Sequence, residues 1–286
     1  MNPHRGVMTI SIFAIMSLHA GITDPLSDIC RSGSVAPYHQ WATVVQQLWS
    51  TLPTNDIVNL YAFLSSHASE QPSLTVQEQA SLKNDVLNVL VAQQRLPDDL
   101  GQQMLDIVRD VEHDAAWRVH CLNHFAPYYK RRWLAKSVAG EEDAYADERA
   151  AIESEVRLAA ASTNDEFAIA GLMVLDSISM GNDTVPRLEV VTLAVQYALD
   201  TTRGPGLRAK AIDIAARAGN KEILPIVRVC AGSTDDAGLQ HTAIRALGVL
   251  GTAEDKATVQ GLARDANRGV RAAAQEALRR FAARRL

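Results

Sequence analysis

The chain has 286 residues and a mass of 31.1 kDa, with 47% hydrophobic, 21% charged and 5% aromatic residues, enough for one large domain or two small ones and too apolar for a disordered or collagen-like chain. A net charge of −5 and a pI near 5.9 exclude a surface built throughout to neutralise phosphates. Cys30, Cys121 and Cys230 have no short spacing between any two, which removes a disulfide framework and a CxxC metal or redox site. Cys121 and Cys230 sit in apolar helical patterns, where free cysteine serves as a small hydrophobe.

Residues 1–22 carry Arg5 in a weakly basic start and then an apolar run from Val7 to Leu18 (VMTISIFAIMSL), too short to span a membrane and of signal-peptide length. A cut after Ala20 would put Leu18 where a small residue is preferred, so two readings stay open. One is a secretory signal, with export to the periplasm or cell envelope. The other is a first helix packed on the end of a cytoplasmic fold. Residues 23–37, with Pro25, Ser32, Gly33, Ser34 and Pro37, read as a linker.

From residue 38 to 149 the pattern is helical but irregular. Trp41, Val44, Val45, Leu48 and Trp49 mark a helix over Tyr38–Ser50. Pro53 and Thr54 start the next, running through Ile57, Leu60, Tyr61 and Leu64. Thr75 with Glu78 spells a capping box ahead of Leu82, Val86, Leu87 and Leu90, and Pro97 with Asp98 opens a helix through Leu100, Met104 and Val108. Asp114 to Ala126 follows, with Pro127 expected to break it. A long helix is expected from about Glu141 to Ala161, and Thr163 with Glu166 caps another. Of the 15 aromatic residues, 11 lie between Tyr38 and Tyr145, which fits irregular helices that need bulky side chains to fill uneven gaps.

Residues 150–286 carry a repeat. Leu207 to Ala215 aligns with Leu239 to Leu247 and again with Val270 to Leu278, offsets of 32 and 31 residues. Gly219 and Gly251 end the first two of these helices, each followed by a second helix, Lys221 to Val229 and Glu254 to Ala263. Looser copies begin at Phe167 and Trp117. Ala211, Ala243 and Ala274 are the positions of close approach, with Leu207, Leu239 and Val270 filling the layer between hairpins. These VRxxA…AL helices with their glycine turns resemble HEAT repeats, specifically the short units of phycobilisome-lyase-type proteins, over about residues 167–286. The resemblance implies an all-α, right-handed α-solenoid of roughly six stacked hairpins. It implies a non-enzymatic protein-binding scaffold or adaptor first. A HEAT-like lyase or chaperone-type enzyme comes second, and a nucleic-acid binder of the HEAT-like glycosylase kind third. The overall acidity speaks against the last.

The candidate chemistry is sparse. No GxSxG, Walker loop, dinucleotide fingerprint or HExxH pattern occurs, and no cofactor is expected. His113, His120 and His124 recur along one expected helix. The pair His120 and His124 is a weak chelating candidate lacking a third ligand, and His124 falls on the packed side of the repeat register. The acidic run Glu141 to Glu148 suits the positive end of a helix dipole. Asn182-Asp183-Thr184 fits a glycosylation sequon. The segment Tyr128-Tyr129-Lys130-Arg131-Arg132-Trp133 gathers charge and aromatic rings. It reads either as a surface for a protein or peptide partner or as a structural corner in which arginine stems pack on rings. Arg279, Arg280, Arg284 and Arg285 answer the final helix dipole and give the last repeat a polar cap.

Overall fold

A computed structural model describes residues 52, 54–67, 74–134 and 145–285. The apolar run of residues 7–18, the linker, the helix expected over residues 38–50 and the start of the acidic run lie outside the described residues. Among the described residues the structure is helical throughout, with no strand and with no helix long and apolar enough to cross a membrane. The chain divides into two compact units, the first ending at His124 and the second beginning at Phe125.

In the first unit, α1 (Thr54–Ser65), α2 (Val76–Ala92) and α3 (Leu100–Arg109) precede α4 (Ala115–Tyr129), within which the unit boundary falls. The capping box expected at Thr75 forms: its hydroxyl accepts from the Glu78 N–H at 3.2 Å, and the Glu78 carboxylate accepts from the Thr75 N–H at 2.9 Å. α1 packs on α2 and α3, burying Leu60, Phe63 and Leu64 with Leu82, Leu87, Leu90 and Met104. Cys121 is free and fully buried, its thiol 3.5 Å from the Met104 carbonyl oxygen, and burial pushes that thiol far above its ordinary pKa. Such a thiol is inert packing.

Pro127 does not break the chain. It sits inside α4, which continues to Tyr129 and then widens into a π turn over Lys130–Leu134. Proline removes one backbone donor late in the helix, and the widened turn that follows is a common way for a helix to absorb such a defect. Tyr128 and Tyr129 are completely buried there, so packing holds the segment helical.

The second unit continues with α5 (Ala146–Ala160), α6 (Asp165–Ile178), α7 (Arg187–Leu199), α8 (Pro205–Arg217), α9 (Leu224–Gly232), α10 (Ala237–Leu250), α11 (Ala253–Leu262) and α12 (Arg268–Ala283). The cap of α6 is Asn164 rather than Thr163: its side-chain oxygen accepts from the N–H groups of Glu166 at 2.9 Å and Phe167 at 3.4 Å. Asn267 opens α12 in the same way. Helices α6, α8, α10 and α12 pack in succession, and α5, α7, α9 and α11 each lie against the helix that follows. The repeat-bearing helix is therefore the second member of each close pair rather than the first. Gly171, Ala211, Ala243 and Ala274 occupy equivalent places in the four successive helices, and the three alanines are fully buried. Gly219 ends α8 with a φ of +74°, the left-handed conformation that glycine adopts without penalty. Gly251 ends α10 for want of space, since a Cβ there would lie 2.5 Å from the Leu247 carbonyl oxygen. The result is a helical solenoid.

Candidate functional site

The aromatic and basic segment lies at the start of the second unit, and its side chains divide. Tyr128, Tyr129 and Arg132 are buried, Arg131 and Trp133 are half-buried, and Lys130 is exposed. Tyr128 Oη donates to Glu148 Oε1 at 2.7 Å and accepts from Arg132 Nε at 3.1 Å and Nη2 at 3.0 Å. The Arg132 guanidinium also stacks 4.2 Å from the Tyr145 ring centroid and 5.3 Å from that of Tyr128. Tyr129 Oη donates to the buried Glu153 carboxylate and accepts from Asn182 Nδ2 at 2.8 Å, and Trp133 packs 4.7 Å from the Tyr129 ring. Burial first, then donation to Glu153, push the Tyr129 hydroxyl up to about 12. Burial and Glu148 push Tyr128 higher still. Of the six residues read either as a partner surface or as a structural corner, three form a buried, hydrogen-bonded corner, because their polar ends find partners inside the unit.

The histidines also part company. His113 lies in the turn before α4 rather than on it, and His120 is exposed. His124 is buried, and its Nε2 donates to Asn84 Oδ1 across 3.0 Å. Burial first, with a smaller contribution from His120, pulls the His124 imidazole down to about 4. One of the two ring nitrogens that could serve a chelate with His120 is thereby engaged with Asn84.

A groove that sequence reasoning missed opens on the second unit where the start of α7 meets α5 and α6. It has a volume of about 490 Å³ and is lined by Leu175, Pro186, Leu188, Leu193 and the pair Arg157 and Glu189. Val190, Val191, Ala194, Val195 and Ala198 form the buried stripe of α7, whereas Leu188 stands off that stripe and is 76% exposed. A leucine outside its helix's apolar stripe is the signal in the sequence that pointed here. At the rim, Arg157 Nε bonds Glu189 Oε1 at 2.7 Å and Arg157 Nη2 donates to the Thr184 carbonyl at 3.0 Å. The Glu189 carboxylate is the leading reason that the guanidinium's affinity for its proton is raised. The groove is thus apolar at its floor and carries a fixed charge pair at one edge. With Thr192 and Gln196 also on its lining, it can accept an apolar side chain and orient a polar neighbour.

A family profile of HEAT repeats matches residues 194–279, which run from α7 through α12. This segment is similar to HEAT repeats. Its glycine and alanine positions form the packed layer described above, and the groove lies at the amino-terminal edge of the HEAT segment. No curated protein sequence is significantly similar to the chain. Among solved structures, human deoxyhypusine hydroxylase in complex with glycerol is similar at a TM-score of 0.35 and 11% sequence identity, covering 96% of this chain and 100% of that one.

Proposed function

We propose that this protein is a helical-repeat scaffold that holds a protein partner by an apolar side chain seated in the α7 groove. The observation that carries the reading is Leu188, a large aliphatic residue 76% exposed, the most exposed of the large apolar side chains described on this unit and the one at the mouth of an apolar depression. HEAT repeats supply the rigid face that such a contact needs, and the Arg157–Glu189 pair at the rim supplies direction. The partner is expected to present one or two aliphatic or aromatic anchors flanked by polar residues, the usual composition of a small interface centre.

The test uses the full-length protein purified from its own host together with whatever it holds. Leu188→Asp places a charge at the mouth of the groove and should release the partner. Val229→Asp, at a residue 66% exposed on α9 away from the groove, should keep it. Both variants should melt with the parent, since neither side chain is in the core. A partner retained by Leu188→Asp and lost from Val229→Asp would move the contact to another face.

A further inference from the structure

The first unit contains a constellation distinct from the groove. His67 follows the end of α1 by two residues, Asp110 closes α3, and His113 stands in the turn between α3 and α4. We propose that His67, Asp110 and His113 bind a divalent transition metal of the zinc class.

The turn fixes two of the three. The Asp110 N–H donates to the Asp106 carbonyl at 3.0 Å, Asp110 Oδ1 accepts from the Glu112 N–H at 2.9 Å, and the His113 N–H donates back to the Asp110 carbonyl at 3.2 Å. This arrangement leaves Asp110 Oδ2 facing His113 Nε2 at 3.8 Å. The His67 ring lies 4.6 Å from the His113 ring at a tilt of 32°. One ligating atom from each residue lies within 4.8 Å of the other two. In a tetrahedral zinc site with bonds of about 2.1 Å the ligand atoms stand about 3.4 Å apart, so side-chain rotations of about an ångström close the set. Two imidazoles and one carboxylate are the ligand types and number of a site that keeps its fourth position open.

The surroundings are partly enclosed: His113 is buried, and His67 and His113 both line one cavity. Arg118 and, on the cavity wall, Lys83 are the opposing charges. Lys83 Nζ donates to the Ser66 carbonyl and lies 5.4 Å from the Trp117 ring centroid and 5.9 Å from that of Phe63. Asp110 faces His113, and Glu112 and Asp114 line the same cavity. The cavity itself, about 200 Å³ and lined by Ser66, His67, Gln79, Lys83, His113 and Trp117, leaves room for water or a small ligand at the fourth position.

The test is equilibrium dialysis of the full chain against Zn²⁺ after treatment with a chelator, with Co²⁺ as a spectroscopic probe. The parent should take up one Zn²⁺ per chain with micromolar or tighter affinity, and Co²⁺ should give the visible bands of a four-coordinate site. Asp110→Asn changes an accessible carboxylate with little change in shape, and His67→Ala removes a half-buried ring; each should weaken binding by at least about tenfold. His120→Ala should leave it unchanged. Unaltered circular dichroism of the Asp110→Asn variant keeps the outcome interpretable even where His113→Ala fails to fold. A parent that binds no Zn²⁺ below about 0.1 mM, or Asp110→Asn and His67→Ala variants that bind as tightly as the parent, would overturn the assignment.

Discussion

His124 illustrates what a single buried residue contributes and how it can be checked. In an unfolded chain its imidazole titrates near 6.5, whereas in the fold, buried and bonded to Asn84, it titrates at about 4. Above pH 7 neither state carries the proton, so this group leaves stability independent of pH there. As pH falls from 6.5 towards 4 the unfolded chain takes up a proton that the native chain refuses, and stability drops by about 3 kcal/mol over that window. Urea midpoints measured at pH 7.5, 6 and 5 should therefore decline more steeply in the parent than in His124→Gln, which cannot titrate. Parallel declines would show that His124 is solvated in the fold. The sequence placed His124 on the packed side of its helix through the repeat register, and that much was legible. It did not reveal Asn84, 40 residues earlier, because a hydrogen-bond partner at that distance is set by how two helices cross. The same limit applied to Tyr128, Tyr129 and Arg132. Their composition is identical for an exposed patch and for a buried corner, and only the arrival of Glu148, Glu153 and Asn182 makes them a corner. His67 was missed for the same reason, since the turn that joins Asp110 to His113 is local but His67 comes to it from just past the end of α1.

At the scale of elements, positions where two helices touch were more legible than the pairing of the helices. The repeat marked Ala211, Ala243 and Ala274 as close-approach sites, and all three are fully buried. Capping residues were readable because their partners lie within three positions, as at Thr75. Asn164 was passed over for Thr163 by one position, a choice that depends on which residue is extended at the helix entry. The phase of the hairpins was not readable, because a helix followed by a glycine turn packs with equal local plausibility on either neighbour. The equivalent site in the first copy is Gly171. A Cβ built there would stand 2.3 Å from the Ala160 backbone nitrogen and 2.7 Å from its Cα, so α5 and α6 touch backbone to backbone. Backbone cannot move aside as a flexible side chain can, and Gly171→Ala should cost about 1–3 kcal/mol or more by overpacking. Gly261, in the last turn of α11, faces open space, and Gly261→Ala should instead stabilise by about 0.5–1 kcal/mol through helix propensity. Thermal melts of the two variants should move in opposite directions. A Gly171→Ala variant that melts with the parent would mean that α5 and α6 are further apart than described.

For the chain as a whole, the consequence of the architecture lies in how a defect spreads. In the second unit each repeat helix touches its neighbours in the stack and little else, so stability there is close to a sum of nearest-neighbour contributions. α12 ends the stack. Its inner face buries Val270, Ala273, Ala274, Ala277 and Phe281, and its outer face is polar, with Glu276 bonded to Arg279 at 2.7 Å and to Arg280 at 3.0 Å. Phe281 is the one large ring on that inner face, completely buried, with the Arg284 guanidinium 5.0 Å from its centroid. Phe281→Ala removes that ring from a site with few other bulky groups to collapse into it, a loss of about 3–5 kcal/mol of packing. In a globular core such a loss lowers the protection of the whole domain. In a stack it should fall chiefly on α12 and on α10 and α11, which contact it, and leave α6 and α7 nearly as they were. Hydrogen exchange of the full-length variant, followed by mass spectrometry, separates the two cases. Amides of α12 should exchange at least about 100-fold faster than in the parent while those of α6 and α7 keep their rates. Uniform acceleration from α5 to α12 would mean that the second unit unfolds as one cooperative block, with coupling that runs well beyond adjacent helices.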